Sequence, residues 1–133
     1  MKRVILFVCI GNAYRSQMAE GFFNYHNRNS EYMAASAGVV ANFDKVPLDA
    51  TQLMCERGIG ISHHTVKRLT PDMAGAAHHI YDMCGLVTAE NFGIPAMVVT
   101  GMIVDDPNFS SLAQQREIRD TIEKKVLDII AGL

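Results

Sequence analysis

Residues 4–21 read VILFVCIGNAYRSQMAEG, and the succession of characters within that stretch decides the fold. Val4 to Val8 is a continuous apolar run rich in branched side chains. Such a run suits a strand covered on both faces. It ends at Cys9 and passes into a Gly-Asn turn at Gly11 and Asn12. From Ser16 onward, Met18, Ala19, Phe22, Phe23, Tyr25 and His26 recur at helical spacing, and Asn27-Arg28-Asn29 closes the helix. A strand, a tight turn and a helix in that order begin an α/β fold.

The rest of the chain repeats the alternation. Glu31 to Ala37 reads as a second strand stopped by Gly38. Pro47 opens a helix that runs through Leu53 and Met54 toward Gly58, a glycine of the kind that ends helices. Thr70-Pro71-Asp72 is a helix start, a capping hydroxyl followed by proline. Ile80 to Cys84 reads as a third strand and Ala96 to Thr100 as a fourth. Asp105 to Asn108 is a loop. From Ser110 a last helix is expected to bury Leu112, Ile118, Ile122, Val126, Ile129 and Ile130 along one face. The expectation is a doubly wound, mostly parallel four-stranded sheet with helices on both faces, formed by residues 1–133 as one domain. In such sheets ligands sit beyond the carboxyl ends of the strands. The turn after Cys9, the loop after Cys84 and the Asp105-Asp106 loop all fall on that edge.

Composition narrows the function. The chain has 133 residues, 49% of them hydrophobic and 20% charged, with 12 basic against 14 acidic residues. The resulting net charge of −2 gives no strong field to recruit nucleic acid or an anionic membrane. Met1-Lys2-Arg3 before an apolar run has the look of a leader peptide. The run is only strand-length and leads into a turn, so a cytoplasmic protein is expected. The cysteines at 9, 55 and 84 are odd in number and lack C-x-x-C spacing. That argues against both a disulfide framework and a zinc cage. His63–His64 and His78–His79 stand as adjacent pairs without an acidic partner at ligand spacing. Neither a metal nor a cofactor is expected.

The turn itself has the makings of an anion cradle. A loop from a buried strand to a helix can aim successive backbone N–H groups into one concavity, and the helix dipole adds to them. Gly11 and Asn12 are residues that tolerate a left-handed backbone. Arg15 supplies a planar fork for two oxygens of a tetrahedral anion. Cys9 would face the central atom, with amides, dipole and guanidinium all favouring its thiolate. Ser16 would donate to the sulfur and help it leave in a second step. Ile10, Gly11, Asn12, Ala13, Tyr14 and Ser16 are thus the expected substrate-binding residues around Cys9 and Arg15.

FVCIGNAYRSQMAEG resembles the phosphate-binding loop of the low-molecular-weight protein tyrosine phosphatase superfamily. Within it, RSQMAEG is most similar to the thioredoxin-coupled arsenate reductases. Ser36-Ala37-Gly38, Ile61-Ser62-His63-His64-Thr65 and Asp106-Pro107 extend the likeness along the chain. The resemblance implies a hydrolase acting through a phosphocysteine on Cys9, with Asp106 protonating the leaving oxygen and then activating water. The expected substrates are phosphorylated proteins or small aryl phosphates. It equally implies an alternative, arsenate reduction with Cys84 as resolving thiol and a thioredoxin- or glutaredoxin-type reductant as partner. The third cysteine usual in those reductases is missing from Gly85 to Pro95. The cysteine that tyrosine phosphatases often carry before the arginine is here Tyr14. Asn108 and Phe109 follow the Asp-Pro; Tyr14, Phe43 and Phe109 are candidate walls for an aryl group, and Cys55 reads as structural. A phosphocarrier and an inactive phosphate-binding module are disfavoured by the set Cys9, Arg15 and Asp106.

Overall fold

The computed structural model describes residues 2–40, 44–87, 92–107 and 110–133. Its elements are β1 (Arg3–Cys9), α1 (Arg15–His26), β2 (Tyr32–Gly38), α2 (Leu48–Cys55), α3 (Pro71–Ala76), β3 (His79–Asp82), a 3-10 turn (Ala96–Val98), β4 (Val99–Gly101) and α4 (Leu112–Ala131). The four strands form one sheet in the order β2-β1-β3-β4, with every pairing parallel. The chain winds outward from β1 to β2, then crosses back over to β3. The carboxyl ends of β1 and β3 therefore part at the switch in winding direction, where α/β sheets leave a crevice.

Strand β1 is central because it is apolar on both sides. Successive side chains of a strand point to opposite faces. Ile5, Phe7 and Cys9 accordingly join one core with Met18, Phe22 and Phe23 of α1, Met54 of α2, and Ile122 and Val126 of α4. Leu6 and Val8 join the other, with Leu69, Ala74, Ile80, Val87 and Ile94. No helix among the described residues is long and apolar enough to cross a membrane.

Local signals account for the helix ends. Thr70 accepts from the Met73 amide at 3.2 Å and caps α3. Ser111 and Gln114 form a reciprocal capping box at the start of α4. Beyond α2, Gly58 takes a φ of +76°. The bonds from Ile59 N to Met54 O and from Gly58 N to Cys55 O then close the helix in a Schellman turn.

Four expectations are corrected. Residues 96–98 form a 3-10 turn, because Pro95 accepts from Val98 N and starts a tight turn, so β4 spans only Val99–Gly101. Strand β3 stops at Asp82 and leaves Cys84 in the following turn, where Gly85 has a φ of +78°. Helix α2 begins at Leu48, with Pro47 as its cap residue. Leu112 opens α4 half exposed and belongs to neither core cluster.

Candidate active site

Cys9 is the last residue of β1, pairs with Gly38 of β2, and is 2% exposed. Its carbonyl accepts from Val39 N and that of Ile10 from Val40 N, both at 2.9 Å. In a trans peptide the N–H points away from the C=O. These two bonds therefore turn the N–H groups of Ile10 and Gly11 away from the 38–40 segment. Asn12 takes the left-handed conformation of the turn, with a φ of 53°; Gly11, the other residue expected to tolerate it, does not. Tyr14 is the residue before α1 and lends it no side-chain cap. The first-turn amides of that helix are then oriented as donors toward the turn.

A buried polar network holds the turn in shape. Asn12, fully buried, donates through Nδ2 to Ser16 Oγ at 2.8 Å and to Ser36 Oγ at 2.9 Å. Its Oδ1 accepts from Lys67 N at 2.8 Å and from Gln17 Nε2 at 3.0 Å. Ser36 donates onward to Glu20 at 2.6 Å. Gln17 pairs with His64 Nδ1 at 2.9 Å, and the other ring nitrogen of His64 stands 3.6 Å from Glu20. Burial, first, holds His64 below the usual histidine range, although the Glu20 carboxylate pulls the other way. The Ser16 hydroxyl lies 3.0 Å from the Cys9 sulfur. Because Ser16 Oγ already accepts from Asn12, its own proton is free to point at the sulfur.

Arg15 is buried, 6% exposed. Its Nη1 donates to Met83 O at 3.2 Å and Val104 O at 3.1 Å. A buried guanidinium needs partners for its five N–H groups, so half of the fork ties down the loops after β3 and β4. The Nη2 arm reaches toward Asp106, 3.8 Å from Oδ2. Asp106 is half exposed, on the loop between β4 and α4.

Asp82 builds the loop that carries Met83. Its Oδ1 accepts from the amides of Cys84 at 3.1 Å and Gly85 at 2.9 Å, and its Oδ2 from Val87 N at 3.0 Å. Cys84 donates its thiol to the same carboxylate at 3.5 Å. Burial first, and then Asp82 and the neighbouring Cys9, push the Cys84 thiol up to about 11. Tyr14 is half-buried beside the mouth. Burial, followed by the carboxylates of Asp49 and Asp106, raises its phenol above the usual range. Cys55 closes α2 and is exposed, so it does not fill the core. Phe43, Asn108 and Phe109 lie outside the described residues.

Sequence reading did not find Asp82 as part of the site, and had Gln17, Glu20, Ser36, Gly38 and His64 only within the stretches that carry the resemblance. The one local signal was Asn12 itself. A buried asparagine in a turn has four hydrogen-bonding sites to satisfy, which calls for polar partners elsewhere in the chain. Gly38 is required by space. A methyl group there would come within 2.7 Å of Asn12 N and 2.8 Å of Ile10 O.

Comparison with known proteins gives the family and the fold. Residues 4–92 match the family model described as low molecular weight phosphotyrosine protein phosphatase. Arsenate reductase 1 of Staphylococcus epidermidis is 32% identical over 94% of this chain and 93% of its own length. The probable low molecular weight protein-tyrosine-phosphatase EpsP of Ralstonia solanacearum is 33% identical over 64% of this chain and 58% of its own. Among solved structures, the low molecular weight protein tyrosine phosphatase from T. tengcongensis superposes with a TM-score of 0.91 at 26% identity. It covers 99% of this chain and 100% of that one. An arsenate reductase in its phosphate-binding state gives a TM-score of 0.84 at 26% identity, covering 98% of each.

Proposed function

The chain belongs to the low molecular weight phosphotyrosine protein phosphatase family, and from that premise we propose that it hydrolyses phosphate monoesters, aryl phosphates of the phosphotyrosine type above all. The observation that carries the reading is the convergence on one sulfur. Cys9 ends the central strand against Ser16 at 3.0 Å, with Arg15 and Asp106 beside the same turn. The 1–133 chain would act as one such domain.

In the first step the Cys9 thiolate attacks phosphorus and the bond from phosphorus to the ester oxygen breaks. Asp106, as the carboxylic acid, gives its proton to that oxygen. Arg15 and the amides of residues 10–15 hold the three equatorial oxygens, whose charge grows in the transition state. In the second step water attacks the phosphocysteine and Asp106 takes the proton from it. The sulfur–phosphorus bond breaks, and the returning thiolate accepts the hydrogen bond from Ser16. Inorganic phosphate leaves.

Arsenate reduction is the second reading, and it is favoured by Cys84 following β3 at the same sheet edge where Cys9 ends the neighbouring β1. After arsenate esterifies Cys9, the Cys84 thiolate would attack the Cys9 sulfur. Arsenite would leave and a disulfide would form, to be reduced by a thioredoxin- or glutaredoxin-type partner. A thiol held at about 11 has only about one part in ten thousand as thiolate at neutral pH. The third cysteine of the relay is also missing. Both facts favour hydrolysis.

Parallel assays with p-nitrophenyl phosphate and with arsenate plus a thioredoxin system test the choice. Phosphatase turnover that survives Cys84→Ser and disappears in Cys9→Ser is the expected result. Arsenate turnover that needs Cys84, without ester hydrolysis, would overturn it.

A further inference from the structure

Gln17 lies in the first turn of α1, is wholly buried, and takes no part in the two chemical steps. Its Nε2 donates to Asn12 O at 3.1 Å, Asn12 Oδ1 at 3.0 Å and Thr65 O at 2.9 Å. Its Oε1 faces His64 Nδ1 at 2.9 Å. The backbone decides which end of each amide is which. Lys67 N can only donate, so the Asn12 atom 2.8 Å from it is the oxygen. Gln17 meets that oxygen and two main-chain carbonyls with one atom, which is therefore its NH2 group. The oxygen of Gln17 is left for His64, so His64 carries a proton on Nδ1. Burial holds His64 below the usual histidine range, so the ring is neutral at neutral pH. Its other nitrogen is then bare, and it stands 3.6 Å from Glu20, outside hydrogen-bond reach.

The bond to Asn12 O is the one that bears on the anion. Backbone donors hold the carbonyls of Cys9 and Ile10, whereas the carbonyl of Asn12 is held by a side chain. In a trans peptide the N–H points away from the C=O. Fixing Asn12 O on Gln17 therefore turns the Ala13 N–H away from Gln17. Rotating that one peptide would exchange the two groups and set a carbonyl oxygen where an anion needs a donor.

Resting on the phosphatase reading, we propose that Gln17 is a positioning residue for the reaction. It fixes the Asn12–Ala13 peptide so that the Ala13 N–H donates to the phosphoryl oxygens, and His64 and Thr65 in turn fix Gln17.

Two variants separate the ends of the Gln17 amide. Gln17→Met fills similar space with neither a proton to donate nor a strong acceptor. Gln17→Glu keeps an acceptor for His64 and, ionised, offers Asn12 O no proton. Isotope-labelled wild type and both variants are titrated with inorganic phosphate and followed by NMR at neutral pH. The wild-type Ala13 amide proton should move downfield as phosphate binds. In both variants that shift should shrink and phosphate affinity should fall by about tenfold, the scale of one hydrogen bond to a charged group. For p-nitrophenyl phosphate, kcat/KM should fall by about 10²-fold, because the held oxygens gain charge in the transition state. The His64 ring reports the other end of the amide. Its proton should sit on Nδ1 in the wild type and in Gln17→Glu, and on Nε2, toward Glu20, in Gln17→Met.

An Ala13 amide that ignores phosphate in the wild type would overturn the proposal whatever the variants do. So would a Gln17→Met protein with a lowered urea midpoint but wild-type phosphate affinity and Ala13 shift, which would leave Gln17 a packing role alone. A wild type that shows the Ala13 response, with the affinity loss in both variants but no ester hydrolysis, would overturn the phosphatase reading and uphold the hold of Gln17 on the anion site.

Discussion

The hydroxyl of Ser16 lies 3.0 Å from the sulfur of Cys9, and the same oxygen accepts from Asn12 Nδ2 at 2.8 Å. A Cys9 thiolate has no proton of its own, so toward it the serine hydroxyl is the donor. That hydrogen bond is worth most when the sulfur carries charge, which is when it leaves phosphorus. Ser16→Ala should lower kcat by about 10²-fold, the scale of losing one donor to a developing anion, with KM falling in step so that kcat/KM changes little. A rapid burst of aryl alcohol followed by slow turnover, seen by stopped flow, is the expected signature of slowed dephosphorylation.

Gly38 presses β2 against the turn. Adding a methyl places it 2.7 Å from Asn12 N and 2.8 Å from both Gly11 C and Ile10 O. All three are backbone atoms, with no side chain to swing aside. Gly38→Ala should destabilise the protein by about 1–3 kcal/mol, as overpacking does. It should also weaken phosphate protection of Cys9 against alkylation, because the turn itself must shift. Urea unfolding and iodoacetamide kinetics check the two halves.

Asp82 satisfies three backbone amides from a 5% exposed position. Asp82→Ala leaves Cys84, Gly85 and Val87 without that acceptor. A loss of about 2–4 kcal/mol is expected from buried donors left unpaired. The loop also delivers the Met83 carbonyl to Arg15, so competitive inhibition by phosphate should weaken. Denaturant midpoints and phosphate inhibition constants measure both.

Glu56 joins α2 to α4 by accepting from Arg116 and Arg119. These bonds, Arg116 first, hold its carboxyl at about 2, down from the ordinary 4.5. A carboxyl lowered by folding contributes stability above its unfolded value and loses it as pH falls through its folded value. Wild type should therefore exceed Glu56→Gln in stability above pH 4.5, and the gap should close as pH falls toward 2. Urea midpoints followed across that range report the gap.

What the sequence revealed and what it hid follow from one physical distinction. Strand β1, its turn and α1 are contiguous, and each carries a periodic or conformational mark: the apolar run, the Gly-Asn pair, the helical spacing after Ser16. The partners of Asn12 do not. Ser36 and Lys67 are 24 and 55 residues away, and polar side chains that satisfy one another across a fold leave no period. Arg15 was legible as a charge, but its tie to Met83 and Val104 uses main-chain carbonyls, which every residue has. Strand β4 was misplaced because the apolar run continues through the turn that Pro95 starts. Leu112 shares the helical period of Ile122 and Val126, but periodicity reports a face and not how deeply each residue on it is buried.

The central claim is that phosphate passes through a bond to Cys9, and trapping that bond tests it most directly. The wild-type protein is mixed with p-nitrophenyl phosphate, quenched in acid within milliseconds, digested and sequenced by mass spectrometry. The account predicts a phosphoryl group on the peptide containing Cys9, more of it in Ser16→Ala, and none in a sample quenched after substrate is exhausted. Ester hydrolysis with no phosphate on Cys9, or hydrolysis that persists in Cys9→Ser, would contradict it.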